Sequence, residues 1–168
     1  MLSSSGVPIP DCFVETTVDA LVLFQAARQG LVARASRRLV HAEKTALASG
    51  ATFIYDEEGS GIRRWTDGRL WSPSRILDNF LIYRELDQKM TRQEGGALRR
   101  ITPGSRSRSR RGLLKRTFSV QIDGHCWHLV NYVATRHCAQ LPRPHLLPWL
   151  AALRIPAELV EGQSFRRP

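Results

Sequence analysis

The chain has 168 residues, of which 42% are hydrophobic, so it is long enough for one folded domain with a sizeable core. Its 25 lysines and arginines outnumber 15 acids, and the net charge of +10 favours a polyanionic partner. The sequence argues against a membrane helix, a signal peptide and a disulfide framework, because it lacks a long apolar run, a basic and apolar leader and regularly spaced cysteines. We therefore expect a protein of the cytosol or nucleus.

Two helices are predicted in the first fifty residues. Thr16 or Thr17 can cap the first helix, which carries an apolar stripe and ends near Gly30. Ser36 can cap a second helix that covers residues 37 to 48.

A strand, a turn, a loop and a second apolar segment follow in that order. Residues 51–55 form a short apolar strand, and residues 56–60 have the composition of a turn. Residues 61–75 are rich in arginine. Residues 76–86 are apolar and aromatic, which predicts a buried strand or a short helix leading into one.

The composition changes sharply near residue 87. Residues 87–112 have little hydrophobic content and many arginines, which predicts a disordered basic linker. Structure resumes in two strand-like runs, 113–122 and 125–134, separated by the hairpin turn signal Asp123-Gly124. Because two strands alone are marginally stable, we expect this hairpin to complete a sheet begun by the first block.

The segment Gly61–Arg75 holds four arginines, two tryptophans and a single acid. A buried strand would need a partner for each arginine, and a flexible linker would not contain two tryptophans. The composition indicates an ordered surface loop that presents guanidinium groups from an aromatic base. Such a loop is suited to binding a polyanion.

This loop, with residues 13–24 and 79–85, resembles the WOPR family of fungal transcription regulators, and residues 112–120 and 127–132 resemble the second half of that family's domain. The resemblance implies an α+β fold, with helices packed around one antiparallel sheet that is interleaved from the two sequence blocks. It also implies a nuclear protein that binds specific sequences of double-stranded DNA. In that reading the sheet region lies in the major groove and the arginine loop in the minor groove.

The resemblance also sets the expected domain boundaries. The DNA-binding domain would cover residues 13–135, made of blocks 13–86 and 113–135, and residues 136–168 would form a proline-rich C-terminal extension.

The candidate DNA-binding residues comprise the loop and basic or hydroxyl residues near it. Arg63, Arg64 and Arg69 are the candidates for entering the minor groove. The full set is Arg37, Arg38, Arg63, Arg64, Trp65, Thr66, Asp67, Gly68, Arg69, Trp71, Ser72, Ser74, Arg75, Lys115, Arg116 and Thr117.

Different roles are expected within this set. The residues expected to neutralise phosphates are Arg37, Arg38, Arg75, Lys115 and Arg116. The hydroxyl groups expected to donate hydrogen bonds to phosphate oxygens are those of Thr66, Ser72, Ser74 and Thr117. Trp65 and Trp71 brace the loop, which lowers the entropy lost when an arginine docks. Asp67 pins Thr66, Gly68 or a neighbouring arginine through an Asx-type turn. A contact from Asp67 to a cytosine amino group is the rarer alternative.

Catalysis, a cofactor and a bound metal are not expected. No nucleophile-elbow, phosphate-loop or zinc-protease motif occurs. The enzyme alternative is an arginine-rich nuclease or RNA-modifying enzyme, which would need paired carboxylates with magnesium. On a strand, Cys126 and His128 would share one face while His125 and Trp127 share the other, which divides the would-be zinc ligands. We likewise expect no membrane partner and no small-molecule substrate.

The basic linker carries two further signals. Thr102 follows two arginines in a pattern that basophilic kinases favour, and its phosphate would weaken DNA binding by cutting the local positive field. The Ser-Arg repeats at 105–111 resemble RS-type segments, so an RNA-binding or RS-type interaction protein is the alternative function. The sequence favours a nuclear import signal or an auxiliary phosphate-binding tether as the role of these repeats. Transcription co-regulators would be further partners, and the absence of a heptad repeat favours a monomer.

Overall fold

A computed structural model of the chain describes residues 6–86 and 112–166. The predicted linker, except Gly112, lies outside the described residues, as do Thr102 and the Ser-Arg repeats. None of the helices in the described ranges has both the length and the apolar character that crossing a membrane requires.

The fold is one six-stranded antiparallel sheet with short helices around it. The helices are α1 (Thr17–Arg28), α2 (His41–Thr45), α3 (Glu57–Ser60), α4 (Pro148–Ala151) and α5 (Glu158–Glu161), with single 3-10 turns at Thr135–His137 and Pro144–Leu146. The strands are β1 (Thr52–Asp56), β2 (Leu70–Trp71), β3 (Arg75–Leu77), β4 (Phe80–Leu86), β5 (Leu113–Ile122) and β6 (His125–Ala134).

The strand order confirms that the two sequence blocks interleave. The order is β1-β6-β5-β4-β2, and β3 pairs with β4 on the same side as β2. The hairpin of the second block is therefore inserted between two strands of the first block. This confirms the predicted α+β fold with a single interleaved antiparallel sheet.

The β5–β6 hairpin turns at the predicted dipeptide. Asp123 and Gly124 have φ angles of 52° and 78°, the positive values that a type I′ turn requires at both central residues. The two-residue turn fixes the register, so that Ile122 lies opposite His125 and Lys115 lies opposite Tyr132. This register determines which side chains of the second block meet the loop.

Helix α1 packs on one face of the sheet. Thr16 is its N-cap: the Thr16 hydroxyl accepts a hydrogen bond from the Asp19 backbone N–H, and the Asp19 carboxylate accepts from the Thr16 N–H at 2.9 Å. Phe24 of the helix is fully buried and contacts Phe118 of β5, with ring centroids 6.2 Å apart. The main hydrophobic core lies between α1 and this face.

The C-terminal segment belongs to the same core, which revises the expected boundary at residue 135. Leu150 of α4 and Leu159 of α5 are buried in the core beside α1. Arg143 donates a hydrogen bond from Nε to the buried Asp19 carboxylate at 2.8 Å. The folded unit therefore extends through the described part of the C-terminal extension.

Two predicted elements in the first block differ from the structure. The second helix covers only His41–Thr45, because Glu43, rather than Ser36, accepts the hydrogen bond at its start, from the Val40 N–H. The turn predicted at 56–60 is the short helix α3, capped by the Asp56 carboxylate, which accepts from the Gly59 N–H at 2.6 Å.

The segment 76–86 is not one strand but most of a hairpin. It contains the last two residues of β3 and all of β4, separated by a turn at Asp78, whose φ angle is 52°. Of its apolar residues Phe80 is buried, whereas Ile76, Leu77 and Leu81 are exposed. A single buried strand was therefore the wrong prediction.

Candidate nucleic-acid interface

The arginine-rich loop is built on the sheet face opposite α1. Trp65 stacks on Tyr55 of β1, with ring centroids 5.3 Å apart and planes 16° apart, and it also contacts Phe53. The Trp65 indole N–H donates to the Tyr132 hydroxyl at 2.9 Å. The aromatic base predicted for the loop is therefore present, and it rests on β1 and β6.

Asp67 is the centre of the loop. Its carboxylate accepts hydrogen bonds from the Tyr132 hydroxyl at 2.7 Å, the Trp71 indole N–H at 3.0 Å and the Arg69 backbone N–H at 3.1 Å. It also pairs with the Lys115 ammonium at 3.1 Å. Asp67 is only 4% exposed, so it holds the loop from inside and is closed to contact with a DNA base. Its bond to Arg69 is the predicted Asx-type turn, and Gly68 supplies a φ angle of 71° within that turn.

Burial and pairing shift the pKa values in this cluster. Burial alone would raise the pKa of Asp67, but the hydrogen bonds from Trp71 and Tyr132 and the Lys115 charge outweigh it, so the pKa lies below its ordinary value. Burial, and then the Asp67 charge, raise the pKa of Tyr132. The cluster therefore holds a neutral phenol against an ionised carboxylate at neutral pH.

Arg69 is not available to enter a groove, which corrects one of the three groove candidates. Its guanidinium pairs with Glu85 of β4 at 3.0 Å and donates to the Leu47 carbonyl oxygen at 2.9 Å. The side chains of Arg69 and Glu85 are only 10% and 9% exposed. Arg69 thus ties the loop to β4 and to the segment that follows α2.

Arg116 and Lys115 are also internal, so neither can neutralise a phosphate as predicted. Arg116 is 5% exposed, donates to the backbone carbonyls of Val14 and Glu15 at 2.9 Å and lies 4.5 Å from the centroid of the Phe80 ring. Lys115 lies over the ring of Trp71 at 4.6 Å while it pairs with Asp67. Thr117, the next residue along β5, is half-buried.

The remaining predicted residues stay on the surface. Arg63 and Arg64 are exposed, and neither forms an ion pair within residues 6–86 and 112–166. Thr66, Ser74, Arg75 and Arg38 are exposed as well.

Two other predicted DNA contacts, Arg37 and Ser72, already have partners within the protein. Arg37 forms two hydrogen bonds with Glu43, at 2.9 and 3.0 Å, which lower the pKa of Glu43 to about 2, although both side chains are largely exposed. The Ser72 hydroxyl accepts from the Arg84 backbone N–H at 2.9 Å and joins the loop to β4.

Sequence reasoning missed Tyr132, Glu85 and Arg84. Tyr132 and Glu85 complete the support of the loop, and Arg84 adds an exposed cation on β4. The register set by Asp123-Gly124 would have placed Tyr132 opposite Lys115. No local signal marks Glu85, because its role depends on the pairing of β2 with β4, in which it lies opposite Trp71.

Comparison with known proteins places this architecture in a family. The family model for Gti1/Pac2 matches residues 11–107, more than half of the chain. The chain belongs to the Gti1/Pac2 family. Among its relatives, the global transcription regulator sge1 of Fusarium oxysporum f. sp. lycopersici is 33% identical over 205 residues, which cover 93% of this chain and 62% of that protein. White-opaque regulator 1 of Candida albicans is 44% identical over 90 residues, which cover 53% of this chain and 12% of that regulator.

The Gti1/Pac2 fold is also found in solved structures. The WOPR domain of Wor1 from Candida albicans, in complex with a 13bp dsDNA, matches 94% of this chain and 99% of that domain, with a TM-score of 0.72 and 29% identity. These findings confirm the resemblance to the WOPR family. The chain spans 62% of the length of the sge1 relative.

Proposed function

We propose that this chain is a sequence-specific duplex-DNA-binding regulator of transcription that acts in the nucleus. The observation that carries the proposal is a pair of exposed arginines, Arg63 and Arg64, that form no ion pair among the described residues and lie on a loop that Asp67 fixes to the sheet. A similar domain is known in complex with double-stranded DNA, and a relative is a global transcription regulator. The first comparison supports duplex DNA as the partner, and the second supports a role in transcription.

The geometry favours insertion of Arg63 or Arg64 into a minor groove. A narrow minor groove concentrates negative potential, so it attracts an arginine side chain without requiring a unique base pattern. Because Trp65 and Asp67 already hold the loop in place, docking costs little additional order. Arg75 and Arg38 are exposed and suited to phosphates. Sheet-borne residues would read the adjacent major groove.

In vitro selection of random duplex DNA, followed by sequencing, tests this proposal. We expect enrichment of an A·T-rich core beside a base-specific segment. Titrations that compare the selected duplex with duplex RNA and with single strands distinguish the RNA-binding alternative. Absence of enrichment, or a preference for RNA, would overturn the proposal.

Replacing Arg63 or Arg64 with alanine removes a candidate groove contact. For the arginine that enters the groove, the change should weaken specific DNA binding by about 1–3 kcal/mol. Arg154→Ala removes another exposed arginine, from the C-terminal segment, and should leave specific binding nearly unchanged. Fluorescence anisotropy with the selected duplex measures the affinities, and circular dichroism checks the fold. If both loop variants bound DNA with native affinity, the loop would not be part of the DNA interface.

The proposal also states how the chain acts on DNA. It acts without catalysis, binds DNA as a monomer and recruits transcription co-regulators. Analytical ultracentrifugation with the selected duplex tests the monomer: we expect one chain per site, and two chains on one site would contradict it.

A further inference from the structure

Three side chains with metal-binding atoms meet where α3 lies against β6. Glu57 is the first residue of α3, and Cys126 and His128 share one face of β6. His128 Nε2 lies 2.8 Å from Glu57 Oε1 and 3.4 Å from Cys126 Sγ, and the three potential ligand atoms all lie within 4.8 Å of one another. All three residues are half-buried.

These distances are close to those around a tetrahedral zinc ion. Bonds of about 2.0–2.3 Å to nitrogen, oxygen and sulfur place neighbouring ligand atoms about 3.3–3.5 Å apart. The sulfur–nitrogen pair already has that separation. The hydrogen-bonded pair of His128 and Glu57 would have to open by about half an ångström, and the Glu57 oxygen and the Cys126 sulfur lie within 4.8 Å of each other.

The His128 ring is held in an orientation suited to a metal. Its Nδ1 lies 2.7 Å from the Ser119 hydroxyl oxygen on the paired strand. When Nδ1–H donates to that oxygen, the lone pair of Nε2 faces Glu57 and Cys126. Histidines that bind metals are oriented by a hydrogen bond of this kind from their second ring nitrogen.

We propose that Glu57, Cys126 and His128 bind a zinc ion and leave its fourth position open to water. A thiolate, an imidazole and a carboxylate together form a ligand set that suits zinc. The sequence pattern divides His125 and His128 between two strand faces and gives no sign of Glu57, which α3 brings to the site. The site adjoins the arginine-rich loop, because Arg63 lines the same pocket as Glu57 and Cys126.

The charges around the site favour a cation. A thiolate at Cys126 would lie within 4.8 Å of the Glu57 carboxylate, so the two negative charges would repel each other. A divalent cation between the two groups offsets that repulsion. The neighbouring His125 pairs with Glu58, so it is engaged outside the ligand set.

Bound zinc would fasten α3 to β6 and stabilise the chain by mass action. Replacing Cys126 with serine removes the thiolate with almost no change in volume, and His128→Gln removes the imidazole. Cys138→Ser and His125→Gln are the matched controls, since each removes the same chemical group outside the cluster. Circular dichroism of each metal-free variant checks that the fold is kept.

The test is a titration of the reduced, metal-free full chain with Co²⁺, followed by displacement with Zn²⁺. We expect a thiolate-to-cobalt charge-transfer band at a single equivalent, loss of that band when zinc is added, and a zinc-dependent rise in Tm. Cys126→Ser should abolish the band, His128→Gln should weaken binding at least about tenfold, and both controls should bind as the native chain does. Absence of cobalt binding, or a band that survives Cys126→Ser, would overturn the proposal.

Discussion

Replacing Asp67 with asparagine is expected to lower the free energy of unfolding by about 3–5 kcal/mol, because it breaks a buried charge pair and leaves Lys115 without a counter-charge. The asparagine amide would also place a donor group where Tyr132 and Trp71 both donate. Urea denaturation of the two proteins measures the difference. The slope of the free energy of unfolding against urea concentration should be the same for both proteins.

Asp123→Asn is the control for this substitution. Asp123 pairs with Arg28, but its side chain is 65% exposed, and surface pairs contribute about 0–1 kcal/mol. If Asp67→Asn cost no more than this control, Asp67 would not be the centre of the loop.

The ionisation of Asp67 determines part of the pH dependence of stability. The folded-state pKa of Asp67 lies below its ordinary value, because hydrogen bonds and Lys115 outweigh the opposing effect of burial. Its contribution is therefore complete above the unfolded pKa of about 3.9 and is lost as the pH falls through the lower folded pKa. The native protein should lose more stability in acid than Asp67→Asn does, and equal losses would contradict this assignment.

Replacing Leu150 with alanine is expected to lower the free energy of unfolding by about 2–5 kcal/mol, because it leaves a cavity in the main core. Leu150 is fully buried beside α1, although it lies in the segment that the sequence pattern assigned to an extension outside the domain. Thermal or urea denaturation measures the loss.

Leu146→Ala is the matched control, four residues earlier in the same segment. Its side chain is 66% exposed, so the change should stay within about 0.5 kcal/mol. Similar small effects of both substitutions would mean that the C-terminal segment is not part of the core.

Local signals predicted the fold well. The Asp123-Gly124 turn, the cap at Thr16 and the strands predicted at 51–55, 113–122 and 125–134 each depend on residues close in sequence, and the structure contains them. The short helices α2 and α3 were missed in extent or in type because four or five residues carry little periodicity.

The candidate site was predicted less completely because residue type does not reveal a distant partner. Arg69 was assigned to the groove, yet its counter-charge Glu85 lies on another strand. Arg116 could have been assigned to the core from sequence, since it alternates with Phe118 and Val120 on the face of β5 that packs under α1.

The salt dependence of binding to the selected duplex tests the central claim most directly, namely that the loop arginines Arg63 and Arg64 contact DNA. Each neutralised phosphate contributes about −0.9 to the slope of log K against log salt, and we expect about five to eight for the native chain. The Arg63→Ala, Arg64→Ala double variant should bind more weakly and have a shallower slope. A flat native slope, or identical slopes and affinities for the two proteins, would contradict the account.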